Sequence, residues 1–117
     1  MKTSTSRRSV KMGDQIMREI ATMLIEEIAD PRLEMVTISG VRMNKDNQIA
    51  EVLFTMSGDK EKINAAISGL EKAKGFIRSK LSKRIRTRQI PELRFTHDNF
   101  LEEMVYGNSV ERNMPDS

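Results

Sequence analysis

The spacing of the apolar residues changes three times along this chain of 117 residues, and no other feature constrains the fold more. Over residues 16–28 the apolar side chains recur with the period of one helical stripe. Over residues 36–56 they alternate with polar side chains, which is typical of half-buried strands. The helical period returns over residues 63–85 and the alternation over residues 93–97. Because compact domains usually have about 100–150 residues, we expect one domain with one core.

The first helical stripe predicts a helix that begins at about Ser9 and ends near Ala29. Asp14 suits the early part of this helix, because a carboxylate is favourable near the positive end of the helix dipole. The end is predicted from Asp30, since the residue before a proline, here Pro31, is disfavoured in the helical region.

The alternating residues predict an antiparallel hairpin and, later in the chain, a third strand. A polar turn over residues 44–47 joins the first two strands. The apolar parity of the first strand switches at Gly40, and a bulge or kink there would restore one buried face. The third strand covers Leu93–His97, after Pro91 has ended the preceding basic stretch.

The second helical stripe is predicted to begin after Asp59, a residue type that favours the N-cap. Its apolar phase continues across Ala73–Gly75, so one long helix satisfies the pattern. A glycine inside a helix costs about 1 kcal/mol relative to alanine, so a kink or a helix–turn–helix at Gly75 satisfies it as well. Periodicity alone leaves both alternatives open.

This order of elements, α-β-β-α-(kink)-α-β, predicts an α+β fold. The helices would pack on one face of a three-stranded sheet and so bury every apolar stripe. Residues 1–6 predict a flexible N-terminal arm and residues 107–117 a flexible tail, because both lack apolar periodicity. The folded domain is expected over residues 7–106.

Several function classes are excluded by what the chain lacks. The absence of cysteine removes disulfides, thiolate catalysis and cysteine-based metal sites, and a single histidine excludes a multi-histidine metal site. No apolar run approaches the length of a membrane span, and no signal peptide opens the chain. We therefore expect a cytoplasmic protein with no cofactor, no metal ion and no membrane partner.

Catalysis has one candidate pair, His97 and Asp98. Neighbours on a strand point to opposite faces, so we interpret His97 as a partly buried structural residue. A small hydrolase that uses this pair is the alternative. The adjacent acids Glu26–Glu27 and Glu102–Glu103 are interpreted as solvated charges, since no further acid completes a metal site.

Positive charge is concentrated in one part of the chain. Between Leu70 and Arg94 there are nine basic residues and two acidic ones, and the first twelve residues contain four basic and no acidic ones. No Glu–Lys pair at i,i+4 relieves the repulsion within the basic window. Clustered Lys and Arg gain affinity for a polyanion by releasing counterions, which favours nucleic acid over an acidic protein surface or an anionic membrane.

The aromatic residues favour one mode of nucleic-acid recognition. Phe54, Phe76 and Phe95 fall at core-like positions of the pattern, so base stacking on exposed rings is not predicted. Recognition of a structured RNA through its shape and phosphates fits better. A DNA-binding or nucleoid-associated protein is the alternative on the same charge pattern.

Four stretches, in order and with matching separations, resemble the bacterial ribosome-binding factor A family over about residues 7–99. They are Arg7–Val10 with Ile16 and Glu19–Ile20, Asp30–Leu33 with Val36–Ile38, Leu70–Ser79, and Leu81–Arg88 with Ile90–Phe95. Past Asp98 the chain departs from the family's short motif of a serine, a small residue and glycine, and has Phe100 and Met104 there.

The resemblance implies a type II KH-like fold in which Ala73–Gly75 forms a kink in place of the G-x-x-G loop of an ordinary KH domain. It also implies a non-enzymatic, monomeric factor without a small-molecule substrate. Such a factor would bind the immature small (30S) ribosomal subunit and its 16S rRNA, assist late rRNA processing and subunit maturation, and support growth in the cold.

On this interpretation, the predicted RNA contacts fall into three groups. The phosphate contacts are Lys72, Lys74, Arg78, Lys80, Lys83, Arg84, Arg86 and Arg88. Two small residues, Ala73 and Gly75, would let the RNA backbone approach closely. Secondary contacts are expected next to the arm, at Arg7, Arg8 and Lys11.

Overall fold

The computed structural model describes residues 7–99 and contains two α-helices, a short 3₁₀ helix and three strands. In chain order these are α1 (Arg7–Glu26), the 3₁₀ helix (Pro31–Leu33), β1 (Thr37–Met43), β2 (Ile49–Thr55), α2 (Lys60–Arg84) and β3 (Glu92–His97). The predictions for the arm (1–6), for residues 100–106 and for the tail (107–117) lie outside the described residues.

The boundaries of α1 differ from the prediction at both ends. The helix already begins at Arg7, so Asp14 lies well inside it and no acidic residue occupies the first turn. It ends at Glu26, before the predicted end at Ala29. Asp30 then starts the 3₁₀ helix. The Asp30 carboxylate accepts a hydrogen bond of 3.0 Å from the backbone N–H of Arg32 and caps the 3₁₀ helix.

The sheet has the order β1-β2-β3 and is mixed. The predicted hairpin is confirmed, since β1 and β2 pair antiparallel, and their register shifts between Ile38 and Gly40, where the bulge was expected. Asn47 in the connecting turn has a φ of 58°, a conformation that asparagine tolerates well. β3 pairs parallel with β2, because α2 carries the chain back across the sheet between these two strands.

The α2 helix runs without interruption through Ala73–Gly75, so the alternative of one long helix is confirmed and the helix–turn–helix is wrong. Among the described glycines only Gly58 has a positive φ, and Gly75 therefore keeps an ordinary helical backbone. A side chain at Gly75 would meet no atom within 4 Å. The predicted N-cap is confirmed, since the Asp59 carboxylate accepts a hydrogen bond of 2.9 Å from the backbone N–H of Lys62.

Both helices pack on one face of the sheet, as predicted for the α+β class. The sheet contributes alternate residues to the core, among them Val52, Phe54 and Leu93, all fully buried. The helices contribute their apolar stripes, for example Ile16 from α1 and Ile77 from α2. The opposite face of the sheet carries no helix among the described residues, and its side chains are more exposed.

The helix α1 lies very close to β1 at Gly13. A β-carbon at this position would lie 3.0 Å from the carbonyl oxygen of Val41, which belongs to the β-ladder and has little freedom to shift. Gly69 of α2 has a similar role, because its β-carbon would lie 3.1 Å from both the Asp30 carboxylate and the Leu33 side chain. These two glycines set how near the helices approach the rest of the fold.

We predict opposite effects for two Gly→Ala substitutions in helices. Gly75→Ala should raise the free energy of unfolding by about 1 kcal/mol, since it removes the helical cost of glycine and meets open space. Gly13→Ala should lower it by about 1 kcal/mol, because overpacking costs about 1–3 kcal/mol and exceeds the gain in helix propensity. Urea denaturation of both variants measures the difference. A stabilised Gly13→Ala variant would contradict the close approach of α1 to β1.

Candidate nucleic-acid interface

The start of α1 and the loop after α2 together line a basic cleft of about 1000 Å³. Eight residues of the described range 7–99 line it, and five of these are cationic while none is acidic. They come from two groups that lie far apart in the sequence. The cations of this basic cleft are Arg7, Arg8, Lys11, Arg86 and Arg88.

Buried neighbours position both walls of the basic cleft. On one side, Ser9 is buried in the first turn of α1, and its hydroxyl lies 2.7 Å from the side-chain oxygen of Asn47 in the hairpin turn. On the other side, Ile85 and Ile90 are buried and flank the loop of residues 86–89. The Arg78 guanidinium donates a hydrogen bond of 2.9 Å to the carbonyl of Ile90 and so fastens this loop to α2.

Acidic residues of α1 and the following turn neutralise part of the basic helix α2. The Arg84 guanidinium lies 2.9 Å from the Glu27 carboxylate and 3.4 Å from that of Glu19, and the Lys80 ammonium lies 4.0 Å from Glu27. Because the hydrogen bond from Arg84 favours the ionised form, it lowers the pKa of Glu27. The interpretation of Glu27 as a merely solvated charge is therefore wrong, whereas Glu26 is exposed.

The other predicted contact residues of α2 lie on different sides of the helix. Lys74 pairs with Glu71 at 2.8 Å, and Ala73 is half-buried against the core, so Ala73 does not share a surface with Gly75. Gly75 faces solvent. Lys72 and Lys83 are exposed, and the described residues supply no salt-bridge partner for either.

Phe76 does not occupy the core position that its place in the pattern predicted. Its side chain is 41% exposed, and the Lys80 ammonium lies 5.4 Å from the centre of its ring. Successive residues of a helix point about 100° apart, so the buried position of Ile77 turns Phe76 toward the flank of α2. The position of Phe76 next to Ile77 was therefore the sequence feature from which its exposure could have been predicted.

His97 and Asp98 contact different neighbours, as the strand geometry predicted. The His97 ring is tilted by 56° against the buried ring of Phe54, with 5.5 Å between their centres. The Ser39 hydroxyl donates a hydrogen bond of 3.1 Å to the Asp98 carboxylate. Both residues line a cavity of about 590 Å³ at the end of β3, but these contacts do not favour a base with its orienting acid.

Two kinds of site are absent from residues 7–99. No cluster of three or more His, Asp or Glu side chains there could hold a metal ion. No helix in this part of the chain combines the length and the apolar character that crossing a membrane requires.

The comparisons with known proteins agree on one family. The family model described as ribosome-binding factor A matches residues 8–110. A curated ribosome-binding factor A of Nitrosomonas europaea is 43% identical over 107 residues, which cover 92% of this chain and 84% of the relative.

A crystal structure and a fitted homology model share the fold. The crystal structure of ribosome-binding factor A from Thermus thermophilus superposes with a TM-score of 0.68 at 27% identity, covering 76% of this chain and 93% of that one. A homology model of the Thermus thermophilus factor, fitted into a cryo-EM map of its complex with 30S, has a TM-score of 0.64 at 27% identity, covering 77% and 94%.

Two helices on one face of a mixed three-stranded sheet, consistent with a KH-like description, define a small α+β domain of the type found in ribosome-associated factors. Within this class, the family model and the curated relative are decisive. The chain belongs to the ribosome-binding factor A family.

We predict that Glu27→Gln makes the protein less sensitive to acid. A carboxylate whose pKa is lowered in the folded state stabilises the fold above its ordinary value of 4.5, and this contribution is lost as the pH falls through the folded value. The variant should therefore be less stable than the wild type near neutral pH and approach it in acid.

Thermal melts across this pH range measure the effect, and Glu26→Gln is the matched control on the exposed neighbouring acid. The melting temperature of the control should depend on pH in the same way as that of the wild type. If the melting temperature of Glu27→Gln differs from that of the wild type by the same amount at every pH, the Arg84–Glu27 pair does not contribute to folding.

Proposed function

We propose that this protein is a ribosome-assembly factor that binds the 16S rRNA of the immature 30S subunit through the basic cleft. The observation that carries the proposal is the convergence of five cations, from two distant parts of the chain, around a cleft to which residues 7–99 contribute no carboxylate. Crowded like charges cost free energy in the isolated protein, and a polyanion that occupies the cleft relieves this repulsion. RNA phosphates supply that charge at regular spacing.

Arginine is the main cation of the cleft, which favours phosphate over a generic acidic surface. Four of the five cations are arginines, and the planar guanidinium donates two parallel hydrogen bonds to phosphate oxygens. Their exposed side chains need no rearrangement of the core before they reach a ligand. The cleft therefore has the residue composition expected of a site that binds the phosphate backbone of a nucleic acid.

The remaining predicted contacts are ranked by their surroundings. Lys72, Lys83 and the open position at Gly75 extend the proposed interface along the solvent side of α2. Arg84 and Lys74 are already paired with carboxylates at 2.9 and 2.8 Å, so each would gain less from an RNA phosphate, whereas Lys80 lies 4.0 Å from its carboxylate and is paired more weakly. Arg78 already donates a hydrogen bond to the carbonyl of Ile90, so its main role is to hold the loop after α2.

The assignment to the small subunit rests on the relatives. The fitted Thermus thermophilus structure belongs to a complex with 30S, and this chain shares its fold over 77% of its length. On this basis we propose that the protein acts in the cytoplasm as a monomer without enzymatic activity. Its binding would assist late rRNA processing and subunit maturation, including during adaptation to cold.

We predict that the double variant Arg86→Ala/Arg88→Ala loses affinity for 30S particles by about tenfold or more at physiological salt. Each lost phosphate contact should also make the log–log salt dependence shallower by about 0.7–0.9. Binding titrations at two salt concentrations measure both quantities. The fold should be unaffected, because both side chains are exposed.

The matched control is Lys60→Ala/Lys62→Ala, which removes the same charge from exposed positions at the other end of α2. The control should bind like the wild type. If it loses as much affinity as the cleft variant, net charge and not the cleft governs binding. If duplex DNA competes with 30S particles on equal terms, the protein is a general nucleic-acid binder of the DNA-binding type.

A further inference from the structure

Phe76 is the one phenylalanine of the described residues that is exposed to solvent. It is 41% exposed, whereas Phe54 and Phe95 are 0% and 8% exposed. Exposing an aromatic ring is unfavourable, because the same ring could bury a large apolar area elsewhere. A single exposed apolar side chain is common on protein surfaces, so the groups around Phe76 decide whether its ring can serve as a contact.

The surroundings of Phe76 suit a nucleic acid better than an apolar protein partner. Lys72 lies one helical turn before it and Lys80 one turn after it, so cations stand on both sides of the ring along α2. The Lys80 ammonium lies 5.4 Å from the ring centre, within the range of a cation–π contact. A protein partner with an apolar anchor would have to desolvate these ammonium groups without replacing their charge.

Space for a ligand is available next to the ring. Gly75 precedes it and leaves its solvent side open, with no atom within 4 Å of where a side chain would begin. The helix rises about 1.5 Å per residue, so Phe76 lies about 12 Å from the end of α2 at Arg84, where the loop that lines the basic cleft begins. One RNA segment that follows the helix can reach both places.

We propose that Phe76 is a stacking site for an unpaired RNA base, flanked by Lys72 and Lys80 as phosphate contacts. An aromatic ring between cations is the arrangement by which proteins hold single-stranded nucleic acids, because the ring contacts the face of the base and the cations contact the backbone. The inference rests on the proposed RNA binding and narrows its ligand to RNA that contains unpaired nucleotides. A base paired within a duplex would present no face to the ring.

The first experiment compares Phe76→Leu with the wild type on two RNA probes of equal length, a single strand and a duplex. Removing a stacked ring costs a factor of about 5 to 100 in affinity, so binding of the single strand should weaken by about tenfold. Binding of the duplex and the salt dependence of both probes should be unchanged, because no cation is removed. Ile25→Ala is the control, since Ile25 is an apolar side chain of α1 that is 83% exposed.

The second experiment uses Phe76→Trp, which introduces the only tryptophan of the chain. An indole is a good stacking surface, so this variant should retain the wild-type affinity for single-stranded RNA. Its fluorescence should be quenched by the single strand and not by the duplex. The matched control Ile25→Trp, also exposed, should respond to neither probe.

The outcomes separate this inference from the proposed function. If the wild type binds the single strand with a steep salt dependence but Phe76→Leu binds it as tightly, the stacking site is refuted and RNA binding stands. An equal loss for both probes also refutes it, as does an unquenched Phe76→Trp variant. If the wild type binds neither probe nor 30S particles, the proposed function itself fails.

Discussion

The close packing of α1 against β1 determines where the charges of this protein meet. Gly13 allows the helix to approach the carbonyl of Val41, and the buried Ser9 hydroxyl contacts Asn47 of the hairpin turn. With α1 held in this place, its first turn lies beside the loop that follows α2, and five cations surround one cleft. A small displacement of α1 would separate these cations, because they belong to two segments that are far apart in the sequence.

The same packing gives the basic residues of α2 different surroundings, and two groups of them matter most for the surface charge. The residues that face α1 form ion pairs with carboxylates, as Arg84 does with Glu19 and Glu27. Their charge is therefore largely neutralised within the fold. Those that face solvent, such as Lys72 and Lys83, keep their charge available. A helix that looks uniformly basic in sequence therefore presents a restricted positive surface, because the fold adds acids that the local sequence lacks.

Most of the fold was accessible from the sequence because it depends on local periodicity. The hairpin, the bulge near Gly40 and the cap at Asp59 were all predicted correctly, since each is a local preference of the backbone or of a side chain beside it. The helix–turn–helix alternative at Gly75 was wrong, because a single glycine lowers helix stability without preventing the helix. The exposure of Phe76 was not predicted, because its ring was assigned a core-like position although the neighbouring Ile77 already occupies the buried face.

The sequence by itself determined the α+β class, the order of the elements and the excess of cations near the end of α2, since period and charge are properties of neighbouring residues. Only the tertiary structure decided which cations converge and which are neutralised. It placed Arg7 and Arg8 beside Arg86 and Arg88, and it placed Glu27 beside Arg84. The physical reason is that these groups interact through space, and only the packing of the helices on the sheet sets the distances between them.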